Sequence, residues 1–282
     1  MRNEKVYGQC EQITNLLNAL KGKLPELPGF RSLSLYGSLA EGRADRYSDI
    51  DVMVTTDNLP DAKEQLLGVL ERIGSIEFSW QINLFPDEWN NTILFREESY
   101  YHKLDLGLVD ISAEQRIIPS EQTVVLCDQH RPPGQVASKS TAYAPQHGSI
   151  GHFLLGHLIG CTRYLKARRR GQTMTCYRFA AAAVDWNLAL AYARLTGKHC
   201  FRSKLSTENY LELDRRISAD QRATLMSDID FSTGLAMDHT LRTSMKRMLE
   251  DGAYLAVMED EILPPDVFNG ISTFLDEELS HT

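Results

Sequence analysis

No run of apolar residues in this 282-residue chain approaches the roughly 18 needed to cross a bilayer. Its five cysteines, Cys10, Cys127, Cys161, Cys176 and Cys200, are odd in number and include no Cys-x-x-Cys pair, which argues against a disulfide framework or a zinc site. No apolar stretch follows Met1-Arg2-Asn3-Glu4-Lys5, so no signal peptide is expected and the chain reads as soluble and cytoplasmic. Positive charge is also short. Lys and Arg number 30 against 38 Asp and Glu, a formal net charge of -8. A protein that grips phosphate backbones usually carries far more Lys and Arg, so nucleic acid is not the expected partner. The one dense basic run, Lys166-Ala167-Arg168-Arg169-Arg170, reads most simply as the last turn of a helix, where the dipole favours cations. An acidic surface instead suits a cationic small molecule. There is no internal repeat, no low-complexity tract and no Gly-Lys-Ser/Thr phosphate loop.

The hydrophobic content, 43%, is enough for a real core, and the length allows two domains. Val6, Ile13, Leu16, Leu17 and Leu20 have helical spacing over 4–22, ended by Pro25 and Pro28. Strands are expected at 32–36 and 49–55, then a helix at 61–72. From Ser75 to Phe85, Ile76, Phe78, Trp80, Ile82 and Leu84 alternate with polar residues, the period of a strand. Thr92 to Phe95, His102 to Val109 and Val124 to Leu126 are further strand candidates, with Trp80 and Trp89 as packing residues. Around 130–149 the pattern breaks into Pro132-Pro133-Gly134, Pro145 and Gly148. Beyond it the chain reads helical: 150–169, 177–196, 207–216, 218–229, 233–260 and 265–279, with Gly171 and Gly197 as punctuation. The expected organisation is therefore α+β: a first domain over 1–130 with a mixed sheet and flanking helices, a linker over 131–149 and an all-α helical bundle over 150–282.

The most informative stretch runs from Leu33 to Val54. An apolar strand ends in Tyr36-Gly37-Ser38, a polar loop follows, and Ser48-Asp49-Ile50-Asp51 opens a second apolar strand. Period-2 alternation puts Asp49 and Asp51 on one face and Ile50, Val52 and Val54 on the other. Carboxylates held side by side repel unless a cation joins them, and Mg²⁺ takes carboxylate oxygen together with phosphate oxygen and water. Two such ions about 3.5–4 Å apart can clamp an in-line displacement at phosphorus. Asp105, set among apolar neighbours in Lys103-Leu104-Asp105-Leu106, is the expected third carboxylate; Asp110 is the rival, on the opposite face of a regular strand. Ordinary alternatives exist: an ion pair of Asp105 with His102 or Lys103, and a turn role for Ser48. Gly37 lets backbone approach a ligand, and the hydroxyls of Ser38 and Ser48 can donate to phosphate.

With these residues the sequence resembles the DNA polymerase β-like nucleotidyltransferase superfamily, and among its members the small bacterial aminoglycoside and lincosamide nucleotidyltransferases. The resemblance covers about the first 110 residues and rests on strand, Gly-Ser, loop, Asp-x-Asp and a later strand aspartate. It implies a Mg²⁺-dependent adenylyltransferase with two ions at Asp49, Asp51 and Asp105, and ATP held at Gly37 and Ser38. A hydroxyl of a small acceptor, an aminoglycoside or lincosamide, would attack the α-phosphorus. It also implies a glutamate as general base, here Glu98 or Glu97 with Glu98 preferred, and a triphosphate-binding lysine from the helical half, here Lys204. Asp185 and Trp186 are candidates for holding a cationic sugar ring, and Tyr210 for stacking on the nucleobase. His152 and His157, five apart on a helix, read as structural. Modification of a protein or an RNA end, or a silent nucleotide-binding module, are the competing readings. Oligomeric state is open, a homodimer being one arrangement the sequence allows.

Overall fold

The computed structural model describes residues 11–82, 88–113, 123–128, 142–198 and 205–281. The chain divides into two compact units, Met1–Ala144 and Pro145–Thr282.

The first unit opens with α1 (Glu11–Lys23), whose Ile13, Leu16, Leu17 and Leu20 are buried. Pro25 sits in a single 3₁₀ turn, Leu24–Glu26, that ends it. Then follow β1 (Phe30–Tyr36), the one-turn helix α2 (Gly37–Ala40), β2 (Ile50–Thr56), α3 (Leu59–Leu70), β3 (Ile76–Ile82), β4 (Glu88–Phe95), β5 (Leu104–Asp110) and β6 (Val124–Cys127). The six strands form one mixed sheet in the order β3-β4-β5-β2-β1-β6. Only β2 and β5 run parallel, at its centre; the other pairs are antiparallel. β4 begins four residues before the expected Thr92. Asn90 and Asn91 are poor strand formers, but they pair with Gly107 and Leu106, so tertiary pairing overrides propensity.

Alternation gives the sheet two unlike faces. Leu33, Leu35, Ile50, Val52, Val54, Leu104, Leu106 and Leu108 join α1 and α3 residues such as Leu17, Leu66 and Val69 in one core. The opposite face carries Tyr36, Asp51, Met53, Asp105 and Gly107, with a small apolar cluster of Met53, Val109 and Ala113 against Tyr36.

The second unit is helical among its described residues: α4 (Ile150–Arg169), α5 (Thr173–Thr196), α6 (Thr207–Arg216), α7 (Ala219–Met226), α8 (Gly234–Met258) and α9 (Pro265–Ser280). Ser149 caps α4, Ser206 and Ser218 form capping boxes at α6 and α7, and Gly197, at φ 67°, ends α5 in the left-handed region. α4 and α8 approach closely at Gly252, where a β-carbon would lie 2.5 Å from Leu154 Cδ1. The basic run at the end of α4 is engaged inside the unit: Arg168 pairs with Asp238 at 3.2 Å, and Arg169 with Glu278 at 2.8 Å. No described helix is long and apolar enough to cross a membrane.

Candidate functional site

β1 delivers Tyr36 to the edge of the open face, and the chain then turns at Gly37, whose φ is 66°. The loop after α2 is closed by its own polar groups. Arg43 N–H donates to the Ser38 carbonyl at 2.9 Å, and Tyr47 N–H to Asp45 Oδ1 at 3.0 Å. The Ser48 hydroxyl donates to Asp45 Oδ1 at 3.2 Å and accepts from the Asp45 N–H at 3.0 Å. Ser48 is fully buried, and these bonds make it a turn-closing residue. Ser38, on α2, is half-buried.

β2 and β5 then set the carboxylates. In their parallel register Asp51 stands directly beside Asp105, on strands about 4.8 Å apart. On the far side of Asp51 lies Tyr36, and on the far side of Asp105 lies Thr92. A β-carbon on Gly37 would fall 2.3 Å from Asp51 Oδ2, so the glycine both turns the chain and makes room for that carboxylate. The Ile50 N–H donates to the Lys103 carbonyl at 2.9 Å, which draws Asp49 and Lys103 together; Lys103 Nζ, 1% exposed, lies 4.0 Å from Asp49 Oδ2. The Tyr36 hydroxyl is held well above its ordinary value, first by burial and then by Asp51, Asp105, Asp49 and Glu88, so four carboxylates bear on this one phenol. Glu88, the fourth, is missing from the sequence reading. It is 6% exposed and accepts from Asn90 Nδ2 at 2.8 Å. Its signal was period-2 spacing from Thr92, hidden because β4 was expected to start after it.

The rival carboxylate lies elsewhere. Asp110 pairs in register with Thr56 at the other end of β5, on the opposite parity from Asp105. Bonds from the Ser112 hydroxyl and N–H lower its carboxyl below the usual range. Lys103 turns to Asp49, and His102 to Glu98 at 3.8 Å and to the Arg46 carbonyl at 3.0 Å. Glu98 lines a hollow of about 450 Å³ with Glu97, Phe95 and the α3 end at Glu71–Ser75, on the helix-covered side of the sheet. Burial raises its carboxyl and His102 opposes the shift. The structure thus groups Gly37, Asp51 and Asp105, with Asp49 just ahead of β2, while Glu98 pairs with His102 and lines the hollow with Glu97.

In the helical unit the Tyr210 hydroxyl donates to Asp185 Oδ1 at 3.2 Å, on an exposed carboxylate. Trp186, one residue on, points elsewhere and stacks on His157 with ring centroids 4.0 Å apart. Gly160 lets the indole lie close: a β-carbon there would be 2.8 Å from Trp186 Cη2. Lys204 lies outside the described residues.

A family model described as a nucleotidyltransferase domain matches residues 15–113, the span that holds Gly37, Asp49, Asp51 and Asp105. That match lies within the first unit. Among solved structures the chain is similar to an aminoglycoside 6-adenyltransferase from Bacillus subtilis, at 16% identity over 94% of this chain and 97% of that chain, with a TM-score of 0.38. No curated protein matches the chain significantly.

The residues on the open face of the nucleotidyltransferase domain fit a divalent cation of the Mg²⁺ kind. Their donor set is carboxylate oxygen, with Asp51 and Asp105 side by side in the parallel register of β2 and β5. Among the described residues no three His, Cys, Asp or Glu side chains converge on a single ion position. Mg²⁺ does not demand three: one or two carboxylates with phosphate oxygens and water complete its shell.

Proposed function

We propose that this protein transfers a nucleoside monophosphate, AMP from ATP, to a hydroxyl of a small molecule, with aminoglycosides and lincosamides as the candidate acceptors. The observation that carries the reading is the parallel register of Asp51 and Asp105 with Gly37 packed on Asp51. Gly37 and Ser38 would receive the triphosphate, and Asp49, Asp51 and Asp105 would share two divalent cations among them, which when bound would neutralise phosphate charge. The acceptor oxygen forms a bond to the α-phosphorus, the bond from that phosphorus to the bridging oxygen breaks, and pyrophosphate leaves with the electron pair. The hydroxyl proton passes to a base. Positioning and charge neutralisation supply most of such a rate enhancement. The net charge of -8 and the exposed Asp185, fixed by Tyr210, favour a cationic acceptor.

The test is incubation with α-labelled ATP, Mg²⁺ and a panel of aminoglycosides, lincosamides, tRNA and proteins. Label is expected in a small molecule, and none with Asp51→Ala. Label entering only RNA or protein would move the acceptor class; the absence of both transfer and ATP binding would remove the enzyme reading.

A further inference from the structure

Thr92 stands directly opposite Asp105 in the antiparallel register of β4 and β5, on the same open face, and is 2% exposed. Its Oγ1 donates to Asp105 Oδ1 at 2.5 Å. We propose that Thr92 is a positioning residue: its hydroxyl fixes the tilt of the Asp105 carboxylate and turns the other oxygen toward the divalent cation beside Asp51. This rests on the nucleotidyl-transfer reading of the face.

The physical need is specific. The terminal torsion of an aspartate is broad and roughly two-fold, so Asp105 alone has no fixed plane. Coordination by carboxylate oxygen at about 2.0–2.1 Å tolerates little of that freedom. A threonine is stiff at χ1 because it is branched at the β-carbon. Thr92 is stiffened further because β4 is paired on both sides, Thr92 facing Trp80 on β3 and Asp105 on β5. A rigid donor in a rigid strand therefore restrains the angle of this ligand. Asp51 has a different restraint, the backbone of Gly37 against its Oδ2. Sterics at Gly37 thus bear on Asp51, and the Thr92 hydrogen bond bears on Asp105. Carboxylates that ligate metals are generally held by such outer hydrogen bonds.

The experiment uses the full chain with ATP and Mn²⁺ as probe, reading free Mn²⁺ by its electron paramagnetic resonance signal. Mg²⁺-dependent turnover is measured alongside. Thr92→Val keeps the shape and removes the hydroxyl; Thr92→Ala removes it without added bulk; Thr92→Ser retains it. Val and Ala are expected to weaken Mn²⁺ binding about 10–100-fold, with Ser close to wild type. They should also raise the Mg²⁺ concentration for half-maximal rate more than they lower kcat at saturating Mg²⁺. A residue of merely structural role would shift the unfolding midpoint and leave both readouts alone. Wild-type Mn²⁺ affinity in folded Thr92→Val and Thr92→Ala, with weak binding in Asp105→Asn, would overturn the positioning role and leave the metal site standing. Wild-type affinity in Asp105→Asn as well would overturn both the positioning role and Asp105 as a ligand, whereas no binding of Mn²⁺ with ATP by the wild type would overturn the nucleotidyl-transfer reading beneath them.

Discussion

At Gly37 the backbone has φ 66° and a β-carbon would meet Asp51 Oδ2 at 2.3 Å. Gly42 has nearly the same backbone, φ 68°, with nothing within 4 Å of a β-carbon. The two glycines separate conformational strain from displacement of the carboxylate. Alanine at either site should cost about 1–2 kcal/mol of stability. Only Gly37→Ala should also lower turnover, by about 100-fold, since a 1 Å misplacement at a reacting centre has that effect. Thermal unfolding and steady-state kinetics on both variants check this. Asp105→Asn should lose more than about 100-fold in turnover, beyond what an outer-shell residue costs, while Asp110→Asn stays near wild type.

His157 gives a pH dependence of a different kind. Burial, then His152, pushes its pKa down from 6.5 to about 3, so the folded unit keeps it neutral. The unfolded chain binds a proton below pH 6.5 and the folded one does not, so stability is fully present above 6.5 and falls as pH falls toward 3. The slope is at most about 1.4 kcal/mol per pH unit. Urea unfolding of the wild type should weaken more steeply between these limits than that of His157→Phe, which can still stack on Trp186.

Among elements, α4 depends on a distant cap. Glu261 accepts from the N–H groups of Ile150 and Gly151, both at 2.9 Å, while Ser149 accepts from His152 at 3.1 Å. Ser149 is local to the helix it caps, whereas Glu261 is more than a hundred residues away in the chain. Glu261→Ala should destabilise the helical unit by about 1 kcal/mol, and Glu261→Gln by less, measured by chemical denaturation. The same contrast runs through the sheet. β2 and β5 were legible because apolar alternation and an isolated acid mark them. The start of β4 was not, because Asn90 and Asn91 take strand geometry from Gly107 and Leu106. Glu88 was lost with it. Gly37, Asp49 and Asp51 were singled out by the Gly-Ser to Asp-x-Asp spacing and Asp105 by its apolar neighbours, whereas the Thr92 bond and the Asp185–Tyr210 pair depend on register and helix packing. Trp186 and Asp185, adjacent in sequence, point to different neighbours because successive helix positions diverge in direction.

For the molecule as a whole, the acidic balance disfavours a polyanionic partner, and Arg168 and Arg169 are paired inside the helical unit. Binding to tRNA or duplex DNA at physiological salt should be negligible, as fluorescence anisotropy would register. The α+β order, a mixed sheet and then helices, followed from where strand periodicity stops and helix periodicity begins. The proposed reaction rests on residues of the first unit and requires cleavage at the α-phosphorus. The most direct measurement compares ATP labelled at the α-phosphorus with ATP labelled at the γ-phosphorus, under Mg²⁺, with the acceptor panel. The α label is expected in the acceptor and the γ label in the released pyrophosphate. A γ label on the acceptor, or label released only as free phosphate, would contradict cleavage at the α-phosphorus.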